Sequence, residues 1–143
     1  MTSGHPHNTA RDLMNPGVEC IAAHETLDRA AQMMRDMGVG ALPVCGPDDR
    51  LKGIITDRDI VVKCIAQGHD ASRMTASDLA TGLVWVPAEA TVEETLTRME
   101  ENQIRRLPVI DQHRIIGMIT EADLAKHLPD DKLAEFCHRV YAP

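Results

Sequence analysis

The sequence predicts a mixed α/β (α+β) fold in which two β-α-β-β-α repeats pack sheet to sheet about a pseudo-twofold axis. Two observations carry this prediction. The first is an internal duplication. The sequence Ala41-Leu42-Pro43-Val44 is similar to Arg106-Leu107-Pro108-Val109, and residues 53–60 are similar to residues 117–124. The second is size, because one such unit has only a marginal core by itself, whereas two packed together can share one.

The first helix and strands of each repeat follow from apolar spacing. Thr26 precedes apolar residues at helical spacing, which predicts a helix over 27–37 that ends at Gly38. In the second repeat, Thr91 followed by Glu94 three residues later predicts a capping box before the matching helix. Short β-type runs precede these helices at 18–21 and 84–86 and follow them at 42–45 and 107–110. Strands connected through a helix in this way pack in parallel.

The remaining elements complete each repeat and define its bounds. A turn at 46–49 leads into a third strand at 51–55, and Gly68 closes the helix that follows. A small helical lead-in, around residues 12–14 and 78–80, precedes the first strand of each repeat. We therefore predict the following division of the chain: a flexible tail at 1–8, repeats at 9–67 and 75–128, and a C-terminal extension at 129–143. Within the extension, the segment 133–140 favours a helix that covers an interface.

Composition and charge exclude several classes of function. The chain of 143 residues has a formal net charge of −7 and only 2% aromatic residues, which argues against nucleic acid or an anionic membrane as a partner. It has no apolar stretch of membrane-spanning length and no signal-peptide pattern, so the expected location is cytoplasmic. No motif supplies an activated nucleophile or a paired acid and base, so we predict that the chain is not an enzyme.

A Thr-x-x-Asp pair ends the third strand of each repeat. The pairs are Thr56 with Asp59 and Thr120 with Asp123. The simplest interpretation is a helix cap, in which the hydroxyl and the carboxylate satisfy backbone amides. The same position also suits phosphate, and a carboxylate accepts hydrogen bonds from a ribose diol. Cap and nucleoside-phosphate site both remain open at this point.

These repeats resemble the cystathionine β-synthase-type (CBS) domain, and two in tandem resemble a Bateman module. The motif is Gly, two apolar residues, Thr or Ser, two variable residues, Asp and an apolar residue, and it occurs at 53–60 and 117–124. The resemblance covers about residues 9–128 and is closest to the stand-alone actinobacterial hypoxic response type. It implies a regulatory sensor that binds AMP, ADP, ATP or a related adenosyl ligand in the cleft between the repeats. It further implies a homodimer that signals to an unknown protein partner.

The same resemblance assigns roles to individual residues. The aspartates would hold the ribose, the threonines the phosphate, and nearby apolar residues the adenine. Arg105 and Arg106 have no cationic counterpart in the first repeat, so at least one is a phosphate candidate, the alternative being a solvated or ion-paired arginine. We expect one good site and one weak or empty site. The predicted ligand-binding set is Val18, Ile21, Pro43, Thr56, Arg58, Asp59, Val84, Arg105, Arg106, Pro108, Thr120 and Asp123.

The cysteines and histidines leave further alternatives. The spacing of the four cysteines contains no metal knuckle. Cys20 and Cys45 fall on predicted neighbouring strands and form either a disulfide or two buried thiols, while Cys64 and Cys137 are packing residues. His5 and His7 could chelate a metal with His138, but a tail without metal is the simpler interpretation.

We therefore predict no metal site and no required cofactor, with the adenine nucleotide as a regulatory ligand. Two alternative functions remain: a ligand-free structural or interaction dimer of a hypoxia-type stress response, and a redox-responsive dimer governed by Cys20 and Cys45.

Overall fold

The computed structural model describes residues 9–143, which form two compact units. Unit 1 combines residues 9–18 with Val84–Pro143, and unit 2 is Glu19–Leu83. The helices are α1 (Ala10–Leu13), α2 (Leu27–Met37), α3 (Asp57–Asp59), α4 (Ala76–Leu79), α5 (Val92–Asn102), α6 (Glu121–His127) and α7 (Asp130–Val140). The strands are β1 (Asn15–Pro16), β2 (Ile21–Ala22), β3 (Ala41–Cys45), β4 (Leu51–Thr56), β5 (Val86–Pro87), β6 (Arg106–Asp111) and β7 (Arg114–Thr120). A π-helical segment, Ile60–Ile65, continues α3.

Unit 2 contains a three-stranded sheet in the order β2-β3-β4. β2 is parallel to β3 and β3 is antiparallel to β4, as the strand-helix-strand pattern predicts. The helix predicted at 27–37 is confirmed as α2, and Gly38 ends it in the left-handed region at φ 69°, which glycine adopts without steric cost. The core of the unit is aliphatic and includes Ile21, Leu27, Leu42, Val44 and Ile55.

Unit 1 contains a four-stranded sheet in the order β1-β7-β6-β5. β5 is parallel to β6, and β7 is antiparallel to both β6 and β1. Its core includes Leu107, Val109 and Ile119 from the sheet, together with Phe136 and Val140 from α7. The segment at 133–140 is thus helical, and its apolar side packs into the core of unit 1.

The lead-in segment of each sequence repeat packs in the unit that the other repeat builds. In unit 1, Pro16 of β1 pairs with Gly117 of β7. In unit 2, Thr81, just after α4, forms an antiparallel bridge with Ile54 next to Gly53. A Cβ atom on Gly53 would lie 3.0 Å from the backbone nitrogen of Thr81. The motif glycines therefore have a structural role, because they let the exchanged segment approach the strand closely.

The predicted α/β class is confirmed, but two strand positions are corrected. The runs at 18–21 and 84–86 were expected to be strands. The strands that form, β2 and β5, are shorter and begin later in the chain. The pairing of β2 with β3 begins only at Ile21 opposite Val44, and Val84 packs beside the core without pairing. Residues 1–8, with the predicted flexible tail and His5 and His7, lie outside the described residues. No helix in residues 9–143 is long and apolar enough to cross a membrane.

Candidate functional site

The Thr-x-x-Asp motif of the second repeat forms a complete capping box where β7 meets α6. The backbone nitrogen of Thr120 donates to Oδ2 of Asp123 at 2.9 Å, and the nitrogen of Asp123 donates to Oγ1 of Thr120 at 3.3 Å. The Thr120 hydroxyl also donates to Oδ2 of Asp123 at 3.0 Å. Asp123 is only 8% exposed. The cap interpretation is therefore realised here, and it is built around Oδ2 of the carboxylate.

The first repeat forms the same box but adds a cation to it. Thr56 and Asp59 exchange backbone-to-side-chain hydrogen bonds of 3.0 Å in both directions. Lys63, one turn further along, places its Nζ 3.3 Å from Oδ1 of Asp59. Both oxygens of Asp59 are therefore engaged within the chain. The position of Lys63 is taken by His127 in the second repeat.

Arg106 lies directly beside the second motif. It begins β6 and is the cross-strand partner of Thr120, and residues opposite each other on antiparallel strands project from the same face of the sheet. Within residues 9–143 the half-buried Arg106 side chain makes no hydrogen bond or ion pair. Ala41 holds the equivalent position opposite Thr56. The second repeat thus presents an uncompensated guanidinium opposite the threonine of its motif, whereas the first repeat has an alanine at that position.

Arg105 is separated from this group. Its Nη1 donates to the Tyr141 hydroxyl at 3.1 Å, and its guanidinium carbon lies 5.4 Å from the centre of the Tyr141 ring. The hydrogen bond to Tyr141 raises the pKa of Arg105 above its ordinary value. Arg105 is thus engaged at the end of α7. Arg58, the first-repeat candidate, is exposed on α3.

The apolar candidates divide by burial and by face. Pro108 lies two residues beyond Arg106 on β6, and so shares the face of Arg106 and Thr120. Met118, opposite Pro108 on β7, belongs to the same face, and sequence reasoning missed it although the period-2 alternation of β7 places it there. Val18 and Val84 are half-buried, and Pro43 and Pro108 are buried. Ile21 is 1% exposed and belongs to the core of unit 2.

Cys20 and Cys45 lie side by side within unit 2. The structure joins them in a disulfide with their Cα atoms 5.9 Å apart. The bond connects the residue before β2 to the last residue of β3. Cys64, which is buried, and Cys137, which is half-buried, are free thiols.

The family of the chain follows from its sequence and fold. The chain belongs to the CBS-domain family, whose model matches residues 10–65 and 76–130. Members are generally non-catalytic regulatory modules.

More particularly, the chain is 52% identical to hypoxic response protein 1 of Mycobacterium tuberculosis over 136 residues, which cover 94% of this chain and 95% of the relative. A crystal structure of hypoxic response protein I with two coordinated zinc ions is 56% identical, with a TM-score of 0.79, over 85% of this chain and 99% of that one. A hexameric CBS-CP12 protein from bloom-forming cyanobacteria is 28% identical, with a TM-score of 0.75, over 87% of this chain and 74% of that one.

The zinc ions of that relative overturn the prediction that no cofactor is required. The prediction was wrong because it relied on the lack of a closely spaced cysteine motif and set aside the distant set of His5 and His7 with His138, whereas a folded chain or assembly can gather metal ligands from distant positions. The described part of this chain does not itself fit a zinc ion, because residues 9–143 contain no group of three or more His, Cys, Asp or Glu side chains able to hold one.

Proposed function

We propose that this chain is a non-enzymatic regulatory module of the hypoxic response type that binds an adenosine-type nucleotide, AMP-like or ATP-like, at the second motif. The observation that carries the proposal is Arg106, unpaired within the described chain and directly opposite Thr120. Arginine is the preferred partner for phosphate because its planar fork donates two parallel hydrogen bonds. We further propose that the module works in the cytoplasm as a homodimer and passes its state to a protein partner.

Each residue of the site binds a different part of the nucleotide. Arg106 binds the phosphate, and the Thr120 hydroxyl, now turned toward Asp123, is the second phosphate donor. Asp123 accepts from the ribose diol through Oδ1, the oxygen outside the capping box. Pro108, on the same face as Arg106, provides an apolar surface for the base, with Val84 as a further candidate. The cap and the ligand site are then two uses of one local structure.

The first repeat offers a weaker site for two physical reasons. Asp59 has already paired its Oδ1 with Lys63 at 3.3 Å, so a ribose must compete with a cation for that oxygen. Ala41 takes the place of Arg106, so the phosphate loses its guanidinium partner. Arg58 is the only cation inside the first motif and lies on the exposed side of α3. We therefore expect one nucleotide per chain.

Zinc binding is a second candidate, favoured by the two zinc ions of the 56% identical relative. Since residues 9–143 hold no group of three metal-binding side chains, a zinc ion on this protein needs ligands from residues 1–8, such as His5 and His7, or from a second copy. Elemental analysis of protein purified without chelator tests this candidate. Stoichiometric zinc supports it, and protein free of zinc after equilibration with the metal contradicts it.

Calorimetric titration of nucleotide-stripped protein with AMP, ATP, NAD and S-adenosylmethionine tests the nucleotide proposal. The decisive variant is Arg106→Gln, which should weaken binding about tenfold to a hundredfold, because a hydrogen bond to a charged group contributes about 1.5–3 kcal/mol. The matched control is Arg114→Gln, which removes an exposed arginine at the other end of the same hairpin. Absence of binding by the wild-type protein, or equal effects of the two variants, contradicts the proposal.

A further inference from the structure

The end of α7 is tied to the end of α5 and the turn that follows it by three polar contacts. Arg139 pairs with Glu100 at 3.3 Å. The Gln103 side-chain amide donates to the carbonyl of Ala142, and Arg105 donates to the hydroxyl of Tyr141. We call these three pairs the α7 clamp. All residues of the clamp belong to unit 1. One of them, Arg105, immediately precedes Arg106, the first residue of β6.

The first repeat has no equivalent of the clamp. By the repeat alignment, Gln103, Arg105 and Arg106 replace Gly38, Gly40 and Ala41. Gly38 and Gln103 both adopt the left-handed conformation, with φ of 69° and 50°. That conformation suits glycine but is unfavourable for glutamine. The second repeat therefore accepts a strained residue at this turn, and that residue's side chain is one of the three that hold α7.

The arginines on either side of the start of β6 perform different tasks. Arg106, the first residue of β6, lies opposite Thr120 on the neighbouring strand, whereas Arg105, in the bend before the strand, donates to the Tyr141 hydroxyl. Tyr141 accepts one hydrogen bond from Arg105 and lies under its guanidinium. Fixing Arg105 in this way restricts the backbone from which the next side chain, Arg106, projects.

We propose that Tyr141 is a positioning residue for the phosphate site: it holds Arg105 and, with Gln103, fixes the turn before β6 so that Arg106 faces Thr120. This inference rests on the proposed function, because it assumes that Arg106 binds the phosphate. Tyr141 itself does not touch the ligand. Arg105 likewise acts through Tyr141 and is not a phosphate ligand.

The Tyr141 side chain can be truncated without creating a cavity in the core. It is 57% exposed, whereas α7 is held in unit 1 by the buried side chains of Phe136 and Val140. A Tyr141→Ala variant should therefore keep its fold and lose the clamp contact. Tyr141→Phe is the finer variant, because it keeps the ring under Arg105 and removes only the hydroxyl that accepts the hydrogen bond.

The test compares AMP with adenosine in calorimetric titrations of the full chain. Positioning of Arg106 affects the phosphate alone, so Tyr141→Ala should weaken AMP binding about threefold to tenfold, the range expected for one lost hydrogen bond. Its adenosine affinity should be unchanged. Arg105→Met should give the same loss, and the double variant should be no weaker than either single variant, because both remove one interaction.

The outcomes separate this inference from the function on which it rests. If the wild-type protein binds neither AMP nor adenosine, the proposed function fails, and the inference fails with it. If the wild-type protein binds AMP and Tyr141→Ala binds it equally well, only the positioning role is overturned. Equal losses for AMP and adenosine also overturn it, since they indicate general damage. An Arg105→Met loss without a Tyr141→Ala loss would make Arg105 a direct ligand.

Discussion

At the scale of single residues, the two Thr-x-x-Asp motifs share a geometry and differ in their neighbours. Both form capping boxes, yet Lys63 engages Asp59 and Arg106 faces Thr120. The sequence predicted the threonine and aspartate pairs and an asymmetry from Arg105 and Arg106. It did not separate the two arginines, because their separation depends on where β6 begins and on Tyr141, which is 36 residues away from Arg105.

This asymmetry predicts that a second site can be built. The double substitution Ala41→Arg with Lys63→Met places a guanidinium opposite Thr56 and releases Oδ1 of Asp59. Calorimetry should then report two nucleotides per chain. Because the ion pair of Lys63 is partly exposed, its loss should lower the free energy of unfolding by no more than about 0.5 kcal/mol. The single variant Lys63→Met is the control, and it should still bind one nucleotide; an unchanged stoichiometry in the double variant would refute the assignment.

At the scale of elements, the local sequence pattern predicts the bounds of some helices and strands correctly and those of others incorrectly. α2 follows its apolar spacing and ends at Gly38 as predicted, because cap, periodicity and terminating glycine all lie within one segment. β2 and β5 begin later than the apolar runs, because a strand begins where its partner offers a ladder position. The glycine of each motif is also visible in the sequence, but the sequence does not show why glycine is needed there. The structure shows that a segment of the other repeat packs closely against each of these glycines.

The glycines of the two motifs should differ in their tolerance of a side chain. A Cβ on Gly53 would meet three backbone atoms of Ala80 and Thr81 at 3.0–3.2 Å, whereas a Cβ on Gly117 would meet one backbone atom, the oxygen of Asn15 at 3.0 Å, and the flexible side chain of Met14. Gly53→Ala should therefore lower the free energy of unfolding by about 1–3 kcal/mol, and Gly117→Ala by less. Urea unfolding of both variants measures the difference, and the reverse order would contradict this account of the crossing segments.

The disulfide predicts a redox dependence of stability in unit 2. Cys20 and Cys45 are 25 residues apart, and closing a loop of that length contributes about 3–4 kcal/mol by restricting the unfolded chain. Thermal melting with and without a phosphine reductant should show a lower Tm for the reduced protein. Cys20→Ser with Cys45→Ser should melt like the reduced wild type and be insensitive to reductant. A Tm that does not respond to reductant would show that the bond contributes little.

At the scale of the whole molecule, sequence repeats and compact units are different divisions of the chain. The duplication is visible in the sequence, but unit 1 joins residues 9–18 to Val84–Pro143. That exchange depends on the register of Pro16 against Gly117, a long-range pairing that leaves no periodic signal. The formal net charge of the chain is −7, so an anionic ligand depends the more on a local cation such as Arg106.

The exchange predicts which fragments of the chain fold. Residues 19–83 contain every part of unit 2, including the disulfide, so this fragment should show cooperative thermal unfolding under oxidising conditions. Residues 9–67 match the first sequence repeat but lack α4 and the Thr81 bridge, and they should lack such a transition. Circular dichroism and amide dispersion in NMR spectra distinguish the two. A well-folded 9–67 fragment would count against the exchange.

The exchanged lead-in also sets an order of events on the ribosome. Residues 9–18 leave the exit tunnel before all of unit 2, yet their partner strand β7 ends only at Thr120. At about 5–20 residues per second, the first segment waits roughly 5–20 s for its partner to be synthesised. Unit 2 is contiguous in the chain and is complete earlier. The segment that precedes both units in the chain is therefore among the last of their parts to pair, and it stays accessible to chaperones and proteases until β7 has been synthesised.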